Sequence, residues 1–510
     1  MKRRFLLLVA LVTLLCLVLC GCGGLVSYEQ MNYSRPDMTN HQRVLEASCT
    51  VALESDNVKK VVDAIWNYYD EYDHFYTNYN LAMISHFRDL TDIYWDNEFA
   101  YCAEHSTEVD AGLDRLYRCL AQSPVRETLE GEDYFGAGYF DSFEGESIYD
   151  ETLTDFLSQE AVLLSQYQSL WNQPDSSKME EVFLNLVKLR NELAAYAGYD
   201  SYPQFAYDFY YGRDYTVEQA TSYLADIRAE LAPLYSKLED AVFEPVNTPA
   251  SQQEVFAYVE SMAKKMGGSV KSAFSSMKKA GVYDLTYSEN KYATSFEVYL
   301  RNYQTPYIFL SPMGVSYDKL TFAHEFGHFC TDYVMPGGSY QGVDVAEFFS
   351  QGMEYLSLFY ADGGAELEQA RLALCLSDFV EQAAYASFEH QVYDLPEAEL
   401  TVEGIEKLYR TVGSSFGFDE TLWCGDDFVY VPHFYEQPMY IISYVLSSDA
   451  ALQIYELERQ EQGSGLACYT ANLTSQQPQL LDFLAEAGLK SPFEAQRLQQ
   501  MKQTMLSVIG

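Results

Sequence analysis

Residues 324–328 read His-Glu-Phe-Gly-His. On a helix, side chains four apart stand about 40° from each other around the axis, so His324 and His328 share one face. Two imidazoles so placed can hold one divalent cation, zinc first among them. Glu325, beside the metal, can take a proton from a bound water. This is the chemistry of metal-assisted hydrolysis. With 8 histidines and 75 acidic residues in 510, composition alone produces such a pentapeptide roughly 0.02 times per chain. The competing reading is a surface helix that happens to carry two exposed histidines.

A catalytic zinc ion takes three protein ligands and leaves a fourth place to water. The next helix, expected over 345–360, offers Glu347 in its first turn and Glu354 seven residues on along the same face. Glu347 fits as the third ligand and Glu354 as the carboxylate that orients a ligand imidazole. Two structural roles compete. Asp344 and Glu347 also fit an acidic N-cap with its capping-box partner, and Glu354 also fits an ordinary solvated carboxylate.

The elements that must position these groups are mainly helical. Apolar residues recur at three and four in 58–69, 81–100 and 153–170, and helices are expected again over 216–245 and 252–278. Residues 294–300 and 305–310 are short and rich in β-formers, so a small sheet is expected just before the motif helix. An edge strand there can bind an extended peptide through its main chain. Tyrosine is abundant, with 44 residues, and at helical spacing it reads first as packing. No internal repeat or Gly/Ser linker divides the chain, and Pro336-Gly337-Gly338 and Asp362-Gly363-Gly364 mark breaks between helices.

The chain opens Met1-Lys2-Arg3-Arg4 and continues apolar to Cys20, the layout of a secretory signal over 1–21. It is too short for a confident membrane span. Leu19-Cys20-Gly21-Cys22 resembles a bacterial lipobox, with Cys22 the lipidated residue; an ordinary secretion signal is the alternative. Residues 22–45 read as a lipidated tether, because they are polar and lack periodicity. Residues 46–200 read as an N-terminal helical region and 201–510 as the catalytic region. The formal net charge of −43 repels phosphates and argues against a nucleic-acid partner. Beyond Cys22 seven scattered cysteines remain; an odd number without a CxxC pair reads as buried free thiols, not a disulfide framework.

Taken together, Tyr307-Ile308-Phe309-Leu310, the run from Asp318 to His328, and Glu347-Phe348-Phe349-Ser350-Gln351 with Glu354 resemble the oligopeptidase family of zinc metallopeptidases, which includes thimet oligopeptidase and oligoendopeptidase F. Segments 199–215, 382–389 and 431–435 extend the likeness, so that 200–500 match and the N-terminal half matches in helical character only. The resemblance implies a mainly α, two-lobed fold around a deep channel, one zinc ion on His324, His328 and Glu347, and Glu325 as general base. It also implies that His433 and a following tyrosine bind the developing oxyanion. Tyr435, Tyr440 and Tyr444 are the candidates, with Tyr440 preferred; by itself His433 reads as a core histidine. The implied activity is zinc metalloendopeptidase action on oligopeptides, outside the cytoplasm at the membrane that anchors the lipid. A zinc carboxypeptidase on a similar scaffold and an inert lipid-anchored peptide-binding protein are the rivals.

Overall fold

In the computed structural model the described residues are 24–510, except 132–133, 145–149, 172–173, 336, 338–340, 420 and 422. The expected signal segment and Cys22 lie outside them. The first three long helices are α1 (Met38–Glu54), α2 (Val58–Arg88) and α3 (Ile93–Ala121). Each opens on a side-chain cap, from Asp37, Asn57 and Asp92 respectively, that satisfies free backbone N–H groups. The three pack on one another around a core of their own, built on Leu45, Val61, Ile65, Tyr68, Leu116 and Leu120.

Val125, Leu129, Phe135 and Phe140 still belong to that first core, while the described residues from 151 on form a second, larger body. It contains α4 (Glu151–Leu170), α5 (Ser176–Tyr196), α6 (Val217–Glu230), α7 (Gln252–Met266) and α8 (Gly268–Ala280). A sheet follows, made of β1 (Tyr283–Asp284), β2 (Phe296–Leu300) and β3 (Thr305–Phe309). Then come α9 (Tyr317–Val334), α10 (Val343–Tyr360), α11 (Glu368–Val392), α12 (Val402–Ser415) and α13 (Ile441–Gln460). The order in the sheet is β1-β3-β2, parallel then antiparallel, with Val298 opposite Tyr307. β3 is buried along its whole length, and β2 forms an edge. α9 packs on β2 and β3 and is enclosed by α7, α8 and α10, while α13 closes over α10.

This is the mainly helical architecture with a small sheet beside the motif helix that the sequence implies. Several boundaries differ. The helical pattern over 81–100 belongs to two helices, parted at Asp89–Asp92, where both aspartates turn their carboxylates onto local backbone N–H groups. The expected 252–278 helix is also two, broken at Gly267, whose φ of 74° suits glycine. The 216–245 segment is interrupted where Pro233 and Pro245 each begin a new short helix.

The tether reading of 22–45 is corrected for its described part. Val26 N–H donates to Thr305 Oγ1 at 3.2 Å, and Tyr28 lies 4.7 Å from the Tyr307 ring with Arg88 over its face. Leu25, Met31 and Tyr33 pack on the main core, and α1 begins at Met38. The segment lacks periodicity because, before α1, it lies largely extended against the sheet end. Nor does the main core part at residue 200, since it joins Leu186 of α5 to residues as distant as Met501.

Candidate metal centre

The turn before α9 is tied down by Asp318, a buried residue whose carboxylate accepts N–H bonds from Met313, Gly314 and Val315. One and a half turns later His324 and His328 emerge on the same face, their rings 5.2 Å apart. α10 crosses α9 at Gly327. A Cβ on that glycine would stand 2.6 Å from both Phe349 O and Ser350 Cα, so only a residue without a side chain lets the backbones approach this closely.

The crossing delivers Glu347. Its Oε2 is 3.3 Å from His324 Nε2 and 3.8 Å from His328 Nε2, and the three donor groups lie within 4.8 Å of one another. Two imidazoles and one carboxylate form a donor set suited to zinc. The capping-box role for Asp344 and Glu347 does not occur: α10 opens at Gly342 without a side-chain cap, and Asp344 accepts a hydrogen bond from Tyr215 instead. Glu347 is held on both oxygens, by Tyr440 OH at 2.7 Å and Ser350 Oγ at 2.9 Å. Glu354 is no solvated carboxylate. Its Oε1 stands 2.8 Å from His324 Nδ1 and its Oε2 2.9 Å from Arg371 Nε, which fixes the ring so that Nε2 faces Glu347.

The electrostatics suit a cation. Burial pushes the Glu347 carboxyl up, yet the two histidines and the Tyr440 hydroxyl outweigh it and bring it down to about 2. Burial lowers His324, but Glu347 and Glu354 hold its imidazole well above the ordinary value. His328, with fewer partners, is pushed down by burial to about 4. Glu325 is buried, and desolvation with the Glu347 and Glu354 charges lifts its carboxyl to about 8 against the pull of His324.

His433 opens a short helical turn, Pro432–Glu436. Its Nε2 is 3.1 Å from Tyr444 OH, and its ring lies 5.7 Å from that of Tyr440. Tyr440 and Tyr444 are therefore both at the site. Tyr435 is not: fully buried, it stacks on Tyr167 at 3.6 Å and donates to Met179 O. The segment leading to Tyr440 is clamped. Met439 has φ +65°, an unfavourable backbone for a side-chain-bearing residue. Its N–H donates to Glu389 Oε1 at 2.8 Å and its carbonyl accepts from Arg213 Nη2 at 2.9 Å. Tyr211 OH donates to Pro438 O, and Arg190 Nη1 to Phe434 O.

Sequence reasoning missed Ser350, Arg371 and the clamp of Glu389, Arg190 and Arg213. Arg371 had a signal, a lone cation in the apolar run Ala370 to Leu376. The clamp had none, because its members are distant in sequence.

Comparison with known proteins follows this geometry. Residues 28–147 match the family model described as the Peptidase M3 N-terminal domain. The motif resemblance had granted this half helical character only; the match spans the three helices with their own core. No curated protein sequence matches the chain. Among solved structures, one described as an oligoendopeptidase F aligns with a TM-score of 0.83 at 20% identity, over 95% of this chain and 98% of that one. The structure of PZ peptidase A with an inhibitor gives 0.83 at 20%, over 94% and 98%. An oligoendopeptidase F structure from Bacillus anthracis str. Ames gives 0.80 at 20%, over 96% and 98%. In fold, then, this chain is similar along nearly its whole length to oligoendopeptidase F, and its first 120 or so described residues fit the N-terminal domain of the M3 peptidases.

Proposed function

We propose that the protein is a zinc-dependent peptidase that hydrolyses oligopeptides outside the cytoplasm, held to the membrane by a lipid on Cys22. The observation that carries the catalytic part is the convergence of His324, His328 and Glu347 from two helices, beside a buried carboxyl, Glu325, on the first of them. Bound there, zinc supplies Lewis acidity, activating water and polarising a carbonyl.

The chain's own residues account for the rest. Glu325 takes a proton from the attacking water and returns it to the leaving amine. His433, Tyr440 and Tyr444 are donors for the developing oxyanion, an effect typically worth ~3 kcal/mol per donor. Glu354 orients His324, and Ser350 holds Glu347. The edge strand β2 packs on α9, the helix that carries Glu325. An extended peptide can pair with such an edge.

Support for the location is the charged start, the apolar run and the Leu19-Cys20-Gly21-Cys22 sequence. One acyl chain holds a protein marginally and several hold it firmly. Among the described residues no helix is long and apolar enough to cross a membrane.

The test is Glu325→Gln with metal analysis. Retained zinc and a loss of at least ~100-fold in peptide turnover are expected; full turnover of a quenched peptide ends the proposal. For the anchor, Cys22→Ala releases the protein from the membrane fraction, and continued membrane association refutes a lipid on that residue.

A further inference from the structure

The seven cysteines of the described residues are all unbonded. Two of them, Cys49 on α1 and Cys119 on α3, belong to the core of the first three helices. Contacts between α1 and α3 climb both helices together. Gln42 donates to Glu108, and a Cβ on Gly112 would stand 3.2 Å from Leu45 Cδ2 and 3.4 Å from His41 Nε2. Arg115 then donates to both oxygens of Glu46, at 2.7 and 3.0 Å. The next step is Cys119, one turn beyond Arg115, and Cys49, three residues beyond Glu46. That step brings the two thiols into direct contact.

The pair suits oxidation and not metal binding. A disulfide needs its Cα atoms within ~7 Å of each other, which only closely approaching helices provide. Gly112, where α3 comes close to α1, lies two turns before Cys119. Among the described residues no third His, Cys, Asp or Glu lies close enough to both sulfurs to complete a metal group. The two thiols are also unequal. Cys49 is 3% exposed, whereas Cys119 is only half-buried. The Cys49 thiol and the Arg115 charge hold Cys119 below the ordinary thiol value against the push of burial, while Cys119 and burial push Cys49 up. One sulfur is therefore reachable and poised as a thiolate, and the other lies behind it.

We propose that Cys49 and Cys119 form a redox pair that closes to a disulfide in an oxidising medium and staples α1 to α3. The oxidant is a low-molecular-weight disulfide. The Cys119 thiolate attacks it; one of its sulfurs stays on Cys119 and the other leaves as a thiol. Cys49 then gives its proton to solvent and attacks Cys119 Sγ. The protein S–S bond forms, the mixed S–S bond breaks and the second small thiol leaves. The protein loses two hydrogens and the small disulfide is reduced to two thiols. The extracytoplasmic location proposed above supplies such a medium, and the pair lies in a different core from the metal centre.

The experiment uses the full chain, purified reduced and then held under native conditions with oxidised glutathione. Remaining thiols are alkylated, the protein is digested without reductant, and peptide masses are read. The peptides carrying Cys49 and Cys119 are expected to be joined, lighter by two hydrogens than the separate pair, and parted by dithiothreitol. Closing the pair should slow proteolytic nicking within α1 to α3 at least ~10-fold, because the link restrains the opened chain. Cys49→Ser is expected to stop at glutathione held on Cys119, and Cys119→Ser to leave Cys49 a free thiol that is alkylated only on unfolding. If a variant does not fold, the wild-type peptide map decides alone. Wild type with both cysteines alkylated overturns the proposal. So does glutathione that stays on Cys119 without giving way to the link, or a link from either cysteine to another of the seven. Joined peptides with unchanged nicking refute the staple.

Discussion

Gly327 lies directly against the backbone of Ser350, so close that a methyl group on it would stand 2.6 Å from Ser350 Cα. Glu347 sits one turn before that contact, so the separation of α9 and α10 sets how near the carboxylate comes to the imidazoles. Gly327→Ala cannot be absorbed by a flexible side chain, because the obstacle is main chain. Overpacking of this kind costs about 1–3 kcal/mol. Zinc affinity is expected to fall at least ~10-fold along with it, read by competition with a chromophoric chelator. Unchanged affinity would mean that the helix spacing does not govern the site.

The ligand assignments separate by metal content. His324→Ala is expected to purify without stoichiometric zinc. Glu354→Gln keeps the three donors and weakens only the orientation of His324, so its affinity should fall by ~10–100-fold. Stoichiometric zinc in His324→Ala would place the metal elsewhere.

Tyr440 and Tyr444 are distinguished by their partners, Glu347 for the first and His433 for the second. Tyr444→Phe should leave zinc affinity unchanged and lower kcat by ~10²–10³. Tyr440→Phe should lower kcat and also loosen the metal, because it frees one oxygen of Glu347. Identical effects of the two substitutions on zinc would contradict this division.

Glu389 makes a pH prediction for stability. Burial raises its carboxyl from 4.5 to about 8, against the Met439 N–H and the charges of Arg190 and Arg213. The folded protein therefore holds this proton more tightly than the unfolded chain does. The contribution is present below about pH 4.5 and is lost as pH rises towards 8. Glu389→Gln keeps an acceptor for Met439 N–H and removes the titration. Between pH 5 and 8 the wild type should lose on the order of 1–3 kcal/mol more stability than the variant, measured by urea unfolding. Parallel profiles would show that Glu389 is ionised throughout.

Much of the site was legible before any coordinates. The His324–His328 spacing is a local property of a helix, and Glu347 and Glu354, seven apart on one face, follow from the same periodicity. The strands were legible because β-formers cluster on both sides of a short turn. The segment before α1 was not, since Tyr28 and Leu25 bury against a sheet end that lies more than 250 residues later in the chain. The split at Asp89 was hidden because apolar spacing runs through it unchanged.

Which carboxylate meets the imidazoles was decided by the crossing at Gly327, and which tyrosines reach the site by the clamp of Glu389 and Arg213 on Met439. The bracing of Glu354 by Arg371 also exists only in the folded chain. By itself the sequence determined the two imidazoles, the neighbouring base and the helices that carry them, because periodicity reaches only a few turns. Tertiary structure decided everything that depends on approach between distant segments, because close packing and the desolvation of charge arise only where separate parts of the chain meet.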